Sequence, residues 1–442
     1  MRTLPTLIAA YLGLFVGLID SNAVNLALPA IRTEFGGGVS AAQWAADAYN
    51  VAFAAVLLTA GAAGDRFGRR AVLRIGLALF AAASLGCAVA PHLGVLLTAR
   101  AVQGVAAGIM LPQGLAIAAA AFPDAAGRAR ATAAWAMAAA SSTALGPVLG
   151  GVLTDTLGWR YIFWLNVPVC LIALAMSYRY LPESRNPDAS RSDVPGQLLV
   201  MVSLATLTLV LVEGRSLGAL KSTALSAVVV VTGAALIWWQ RRAPEPAIPA
   251  DLARNRRLAV GLGATFTMTF GIYALMWLNS LAFQQQRGAS AVATALWFLP
   301  LPLTYLALIP VVNRVARRTG PRPPMIIGLM LMGVGILAYA AVGPDADIRI
   351  LVATFVVVGA GLAFNTGPAV TMVLSAVPVQ RSGLASGLAN LARLIGVTIG
   401  IAVVGTVLAS AGVRAALVVG GIVELVGALL VFRARAQEVC HA

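Results

Sequence analysis

The chain is built from apolar runs that repeatedly reach about 20 residues, the length a helix needs to cross a hydrocarbon layer ~30 Å thick. Read between charged or Pro/Gly-rich breaks, these runs cover residues 4–28, 43–63, 71–90, 93–122, 131–153 and 161–181, then 194–212 and 220–240, then 258–283, 291–312, 325–342, 350–377, 384–408 and 413–432. The expected fold is an all-α polytopic membrane protein of fourteen transmembrane helices arranged as six, two and six. Its bundles are expected at residues 1–181 and 258–442, with a central segment at 182–257 carrying the extra pair. Charged side chains make up only 11% of the chain, against about a quarter in soluble domains. Disorder, collagen, coiled coil and disulfide scaffold are excluded on the same grounds, since each needs a polar, periodic or Cys-rich chain.

A formal charge of +15 and a pI near 11.0 raise the question of nucleic acid, which the placement of the charges answers. With the N-terminus inside, most Arg residues fall in segments facing the cytoplasm, the side on which Lys and Arg are retained. Both termini are therefore expected in the cytoplasm of a bacterium, with the protein in its cytoplasmic membrane. The positive charge is spread over short loops facing an anionic leaflet and forms no continuous nucleic-acid patch. The first run continues into a spanning helix containing Asp20 and Pro29, so no cleavable signal peptide is expected. Cys87, Cys170 and Cys440 lack metal-ligand spacing, and His92 and His441 lie outside the runs. No nucleophile–base pair, nucleotide loop or metal cluster is apparent, so neither enzyme nor cofactor nor metal is expected.

A weak internal repeat is present. Gly104, Pro112 and Pro123 recur about 256 residues later as Gly359, Pro368 and Pro378. A parallel repeat of this kind is the two-halves plan of a rocking transporter.

The turn after the second run carries Gly61, Asp65, Arg66, Gly68, Arg69 and Arg70. A short Gly-rich turn with one acid and three guanidiniums can pair with a neighbouring helix end and hold the inner face shut; the alternative is a basic loop serving topology alone. This G-x-x-x-D-R-x-G-R-R run resembles the signature loop of the major facilitator superfamily. Three further stretches resemble its 14-helix drug:proton antiporter branch: Asp20 to Pro29, Arg100 to Gly104, and Gly146, Pro147, Gly150 and Gly151 in the fifth run. Trp159 to Pro168 resembles the start of the family's sixth helix. The resemblance covers nearly the whole chain. It implies proton-driven export of drugs, antibiotics or other amphipathic organic solutes by a monomer that needs only protons as coupling ion. A transporter dedicated to one metabolite, in either direction, and a non-transporting scaffold are the alternatives.

Charges inside the runs need a reason to sit in hydrocarbon. At 1.5 Å per residue, Asp20 lies roughly 13 Å from Pro29 and Arg100 roughly 10 Å from Leu93. An ion pair at matched depth is possible, with Gln103 one turn further in. It is either a static bridge or a proton-coupling pair. Asp47 lies roughly 6 Å from the outer end of the second run, as a solvated interfacial acid or, by resemblance, a substrate or proton site. Glu424, midway along the last run, is either a second protonation site or a packing partner. Arg393 resembles a family Arg. Asn25, Gln103, Asp47, Tyr273, Trp277 and Asn365 are the candidate substrate contacts, in a cavity whose aromatic and amide wall suits an amphipathic solute better than a sugar.

Overall fold

The computed structural model describes residues 3–36, 38–122, 125–184, 193–213, 217–243, 252, 254–343, 346–377 and 382–439. Pro123 and Pro378 of the repeat lie outside them. The regular elements of the described residues are helices: α1 (Thr3–Phe35), α2 (Gly38–Phe67), α3 (Arg69–Ala88), α4 (Leu93–Ala121), α5 (Ala125–Thr156), α6 (Arg160–Tyr180), α7 (Val194–Glu213), α8 (Gly218–Arg242), α9 (Arg256–Leu281), α10 (Ala291–Phe298), α11 (Pro300–Thr319), α12 (Arg322–Val342), α13 (Ile348–Ser375) and α14 (Ser382–Val439). One π-helical turn, Ala282–Gln286, follows α9. Helices dominate because lipid leaves no partner for a free backbone N–H or C=O. Among the described residues, eleven helices are long and apolar enough to cross a membrane.

Helix ends depart from the apolar runs in a physically simple way. The first helix was expected to end near Pro29, yet α1 continues through it to Phe35; Pro removes one N–H and bends a helix without having to stop it. The expected run 291–312 is two helices, α10 and α11, meeting at Leu299 ahead of Pro300. The last two runs form one helical stretch broken at Gly412, whose φ of 82° is the left-handed conformation glycine adopts without steric cost.

Two compact units divide the chain. The first comprises Met1–Thr206 and Leu225–Ala247, the second Leu207–Ala224 and Ile248–Ala442, so the boundaries fall inside α7 and α8. In the first unit α1 packs on α4, α5 and α6, while α4 also packs on α2 and α3. In the second unit α9 packs on α14 and α13, and α12 on α13 and α14. α8 has no buried residue; its apolar side chains are those of a helix made to face hydrocarbon. Ser203 Oγ donates to Thr232 Oγ1 at 2.7 Å, tying α7 to α8 within the first unit.

The repeat has a steric counterpart. A Cβ at Gly104 on α4 would come within 2.9 Å of the Tyr49 carbonyl carbon on α2, and one at Gly359 on α13 within 3.1 Å of Leu301 Cα on α11. Each glycine allows the same kind of close helix crossing in its own unit.

Candidate functional site

The densest polar construction lies in the core of the first unit. Asp20 on α1 and Arg100 on α4 form an ion pair, Arg100 Nη1 to Asp20 Oδ2, at 2.5 Å with side chains 0% and 2% exposed. The other carboxylate oxygen, Oδ1, accepts from Gln103 Nε2 at 3.1 Å and from Asn166 Nδ2 at 2.7 Å. Arg100 also donates from Nη1 to Gln103 Oε1 at 2.7 Å and from Nε to the Ala45 carbonyl at 3.1 Å. Its guanidinium carbon sits 4.5 Å from the Tyr49 ring centroid and 5.7 Å from that of Phe163. Ser84 on α3 closes the set, accepting from Gln103 Nε2 at 2.9 Å. A charge pair in so dry a place is retained only when its remaining hydrogen-bonding capacity is met, and here four helices besides α1 contribute to meeting it.

Chemically, the cluster can hold a proton in place of a cation. Protonation of Asp20 cancels the anion, while Arg100 keeps a carbonyl, an amide oxygen and two aromatic faces. The positive charge therefore has partners in both states.

The fifth-helix glycines bear directly on this cluster. A Cβ at Gly146 would fall 2.6 Å from Asn22 Cβ, and one at Gly150 would fall 2.6 Å from Ala23 Cα. Both positions clasp α1 within a turn of Asp20, and Pro147 between them is buried. Gly151 is likewise buried. Asn25, one turn beyond, is buried and donates to the Ser21 carbonyl at 3.2 Å.

Asp47 on α2 is 0% exposed, and neither of its oxygens has a hydrogen-bond partner. A solvated interfacial acid is thereby excluded. The reason is the length of α2, which begins at Gly38, placing Asp47 roughly 13 Å along it rather than near its end.

At the α2–α3 turn, Gly68 has φ 102°. Arg69 Nη1 donates to the Ala116 carbonyl of α4 at 3.3 Å, and Arg70 Nη1 to the Leu181 carbonyl at 3.0 Å. Glu183, just past α6, accepts from the Arg70 backbone N–H at 3.1 Å and lies 3.5 Å from Arg70 Nε. The turn is thus pinned to α4 and to the end of α6 inside its own unit. Arg66 is exposed. The surroundings of Gly61 and the side chain of Asp65 lie outside the described residues.

In the second unit, Trp277 is fully buried with Nε1 unpartnered. Asn365 donates to the Ala264 carbonyl at 3.1 Å while its Oδ1 has no partner. Tyr273 is half-buried. Glu424 is fully buried with both oxygens unpartnered. Phe298 is part of the core: its ring packs on Phe283 and Phe355, with centroids 6.0 and 5.5 Å away. Among the described residues no three His, Cys, Asp or Glu side chains gather where a metal could bind.

The sequence model of the Major Facilitator Superfamily matches residues 10–302 and 261–439. The chain belongs to this superfamily. It is 35% identical to "Multidrug resistance protein Stp" of Mycobacterium tuberculosis, over 92% of this chain and 76% of that protein. It is 30% identical to the "Tetracenomycin C resistance and export protein" of Streptomyces glaucescens, over 92% and 76%. It is also 30% identical to "Multidrug efflux pump LfrA" of Mycolicibacterium smegmatis, over 88% and 77%. Among solved structures, the POT family transporter PepTSo superposes with a TM-score of 0.73 at 13% identity, covering 100% of this chain and 99% of that one. The xylose transporter XylE from E. coli gives 0.69 at 15%, covering 98% and 99%. Both likenesses concern the fold.

Three members of this superfamily chain's polar framework carry no sequence signal strong enough to single them out. Ser84 and Asn166 are small polar residues inside apolar runs, where bonding to the local backbone is the commoner outcome. Glu183 stands in a polar break that reads as solvated loop. Asn166 shares with Trp159 and Arg160 a stretch that stands out in the sequence only as a whole; Trp159 and Arg160 clasp Glu34 at the end of α1, with Trp159 Nε1 and Arg160 Nη1 2.7 and 2.8 Å from Glu34 Oε2.

Proposed function

We propose that this chain is a proton-coupled exporter of drugs, antibiotics or other amphipathic organic solutes, working by alternating access in a bacterial cytoplasmic membrane. The observation that carries the reading is the Asp20 carboxylate, buried and paired with Arg100 in a chain whose relatives are named for multidrug resistance and antibiotic export. Transport rather than catalysis is the activity of such a chain.

Inward proton movement supplies the drive, each charge crossing the potential gaining about 2.3 kcal/mol per 100 mV. A proton on Asp20 releases Arg100 from its anion and loosens α1 from α4; its departure re-forms the pair. Coupling requires that proton binding and substrate binding oppose each other. Asp47, a buried carboxylate without a partner, is the acid we assign to cationic substrates. Asn25, Tyr273, Trp277 and Asn365 are assigned to neutral parts of the solute, and Gln103 to Asp20 and Arg100. The turn with Gly61, Asp65, Arg66, Gly68, Arg69 and Arg70 serves as the inner latch. Gly146, Pro147, Gly150 and Gly151 hold α5 against α1 so that protons do not leak. We assign fourteen spans, a reading supported by eleven long apolar helices among the described residues and reached by taking α2 and α7 as spanning and dividing α14 at Gly412. An even number of spans puts both termini on one side, which the arginine bias of the loops makes the cytoplasm, and the monomer is the working unit.

The test is transport of a panel of dyes and antibiotics in proteoliposomes under an imposed pH gradient. The wild type should move solute uphill against the proton flow, and Asp20→Asn should not. Equal uphill movement by Asp20→Asn would remove Asp20 from the mechanism, and movement indifferent to the gradient would remove proton coupling altogether.

A further inference from the structure

Glu424 lies in the arm of α14 beyond Gly412, fully buried, with neither carboxylate oxygen hydrogen-bonded and no ion pair to it among the described residues. It is seated on Gly271 of α9. A Cβ there would come within 2.9 Å of Glu424 Cδ and 3.0 Å of its Cγ, so only a bare backbone makes room for the acid. One turn along, Gly427 meets Thr267 of α9, where a Cβ would lie 2.6 Å from the hydroxyl oxygen. That hydroxyl is spent on the Gly263 and Ala264 carbonyls and offers Glu424 nothing. On its other side the arm packs into α12, Gly421 against Leu337 and Leu425 against Gly333.

Charged groups on the packed elements are few and stand at the helix ends, and the nearer ionisable groups are two phenols, Tyr273 and Tyr339. α9 holds Arg256 and Arg257 in its first turn and Tyr273; α12 holds Arg322 at its start and Tyr339; α13 holds Arg349 in its first turn. α14 itself holds Arg393, Arg414 and Arg433, none within two turns of Glu424. A carboxylate anion cannot remain in such a seam without a donor or water. To ionise, Glu424 needs α9 and this arm of α14 to part.

We infer that Glu424, cradled by Gly271, is a second proton-binding site in the second unit, and that the α9–α14 seam opens when it releases its proton. This rests on the proton-coupled reading above and extends it to a carrier separate from the Asp20 cluster.

The experiment uses the purified full-length chain in weakly buffered detergent, with two readouts. One is the number of protons released when a transported dye is added. The other is the pH-difference infrared spectrum of the protein without dye. Relative to wild type, Glu424→Gln should bind dye, release about one proton fewer per chain and lose one carboxylic C=O band. Glu424→Asp, which keeps the acid on a shorter stem, should retain the proton and shift that band. An unchanged proton count with an unchanged band in Glu424→Gln overturns the inference, as does a band in Glu424→Asp identical to wild type. If the wild type releases no proton with any dye, coupled export fails instead, and the infrared band still decides whether Glu424 exchanges a proton.

Discussion

Asn166 on α6 donates a 2.7 Å hydrogen bond to Asp20 on α1, to the carboxylate oxygen that Arg100 leaves free. The pair therefore has a third party, and the cluster is built to hold a charged Asp20 as well as a charged Arg100. Removing a donor from a buried carboxylate forfeits a charge-assisted hydrogen bond worth about 1.5–3 kcal/mol. Asn166→Ala should therefore slow gradient-driven efflux by roughly ten- to hundredfold. Asn166→Gln should recover part of it, because the amide is kept. Efflux rates per unit of protein in vesicles check both.

The Asp20–Arg100 pair should behave non-additively. Truncating one member leaves the other charged, buried and uncompensated, at a cost of about 3–5 kcal/mol. Asp20→Asn with Arg100→Gln removes both charges and keeps polar shape, so the double variant should be more stable than Arg100→Gln alone while remaining without coupled transport. Thermal unfolding of the four proteins in detergent gives the cycle, and a double variant as unstable as the sum of the singles would show the two residues to be independent.

Much of the architecture was legible because the bilayer imposes one length on every crossing segment. The matched depth of Asp20 and Arg100 followed from helical rise alone, and they meet. What could not be read was how far helices run past their apolar cores. Asp47 is buried because α2 begins five residues before Gln43, and Gln43 is itself buried at 2% exposure. Nor could the rest of the cluster around Asp20 and Arg100 be read, namely Asn166 on Asp20 and Ser84 on Gln103. Depth along a helix is fixed by counting, but the side toward which Ser84 and Asn166 turn is fixed by packing against α1 and α4, and long-range packing leaves no periodic mark in so uniformly apolar a sequence. Glu183 was hidden for the opposite reason: a charged residue beyond a helix end looks like every other loop charge until Arg70 is found beside it.

That turn separates backbone strain from surface charge. Gly68 combines φ 102° with a neighbour: a Cβ there would lie 2.9 Å from Glu183 Cδ. Gly68→Ala is expected to cost about 1–2 kcal/mol, from left-handed backbone strain. Glu183→Gln loses an ion pair whose members are 30% and 36% exposed, worth less than about 1 kcal/mol. Thermal unfolding should rank them in that order, while both should change the rate of solute exchange if the turn is the latch.

The contact of α5 with α1 yields a test of leak against drive. Gly150 seats directly on the Ala23 backbone, three residues from Asp20, so Gly150→Val must push the two helices apart. Overpacking of this kind costs about 1–3 kcal/mol, too little to unfold a large bundle but enough to open the seal beside the Asp20 carboxylate. The expected result is faster collapse of an imposed pH gradient in solute-free vesicles containing Gly150→Val than in those containing wild type. Gly150→Ala, a smaller intrusion, should leak less. Asp20→Asn combined with Gly150→Val separates two routes. If the leak runs through Asp20 the double variant is tight again, and if it persists, the helices have parted around a path that bypasses the acid. Gradient decay followed with an entrapped pH dye distinguishes the two, and unaltered decay in every variant would show that the glycine contact seals nothing.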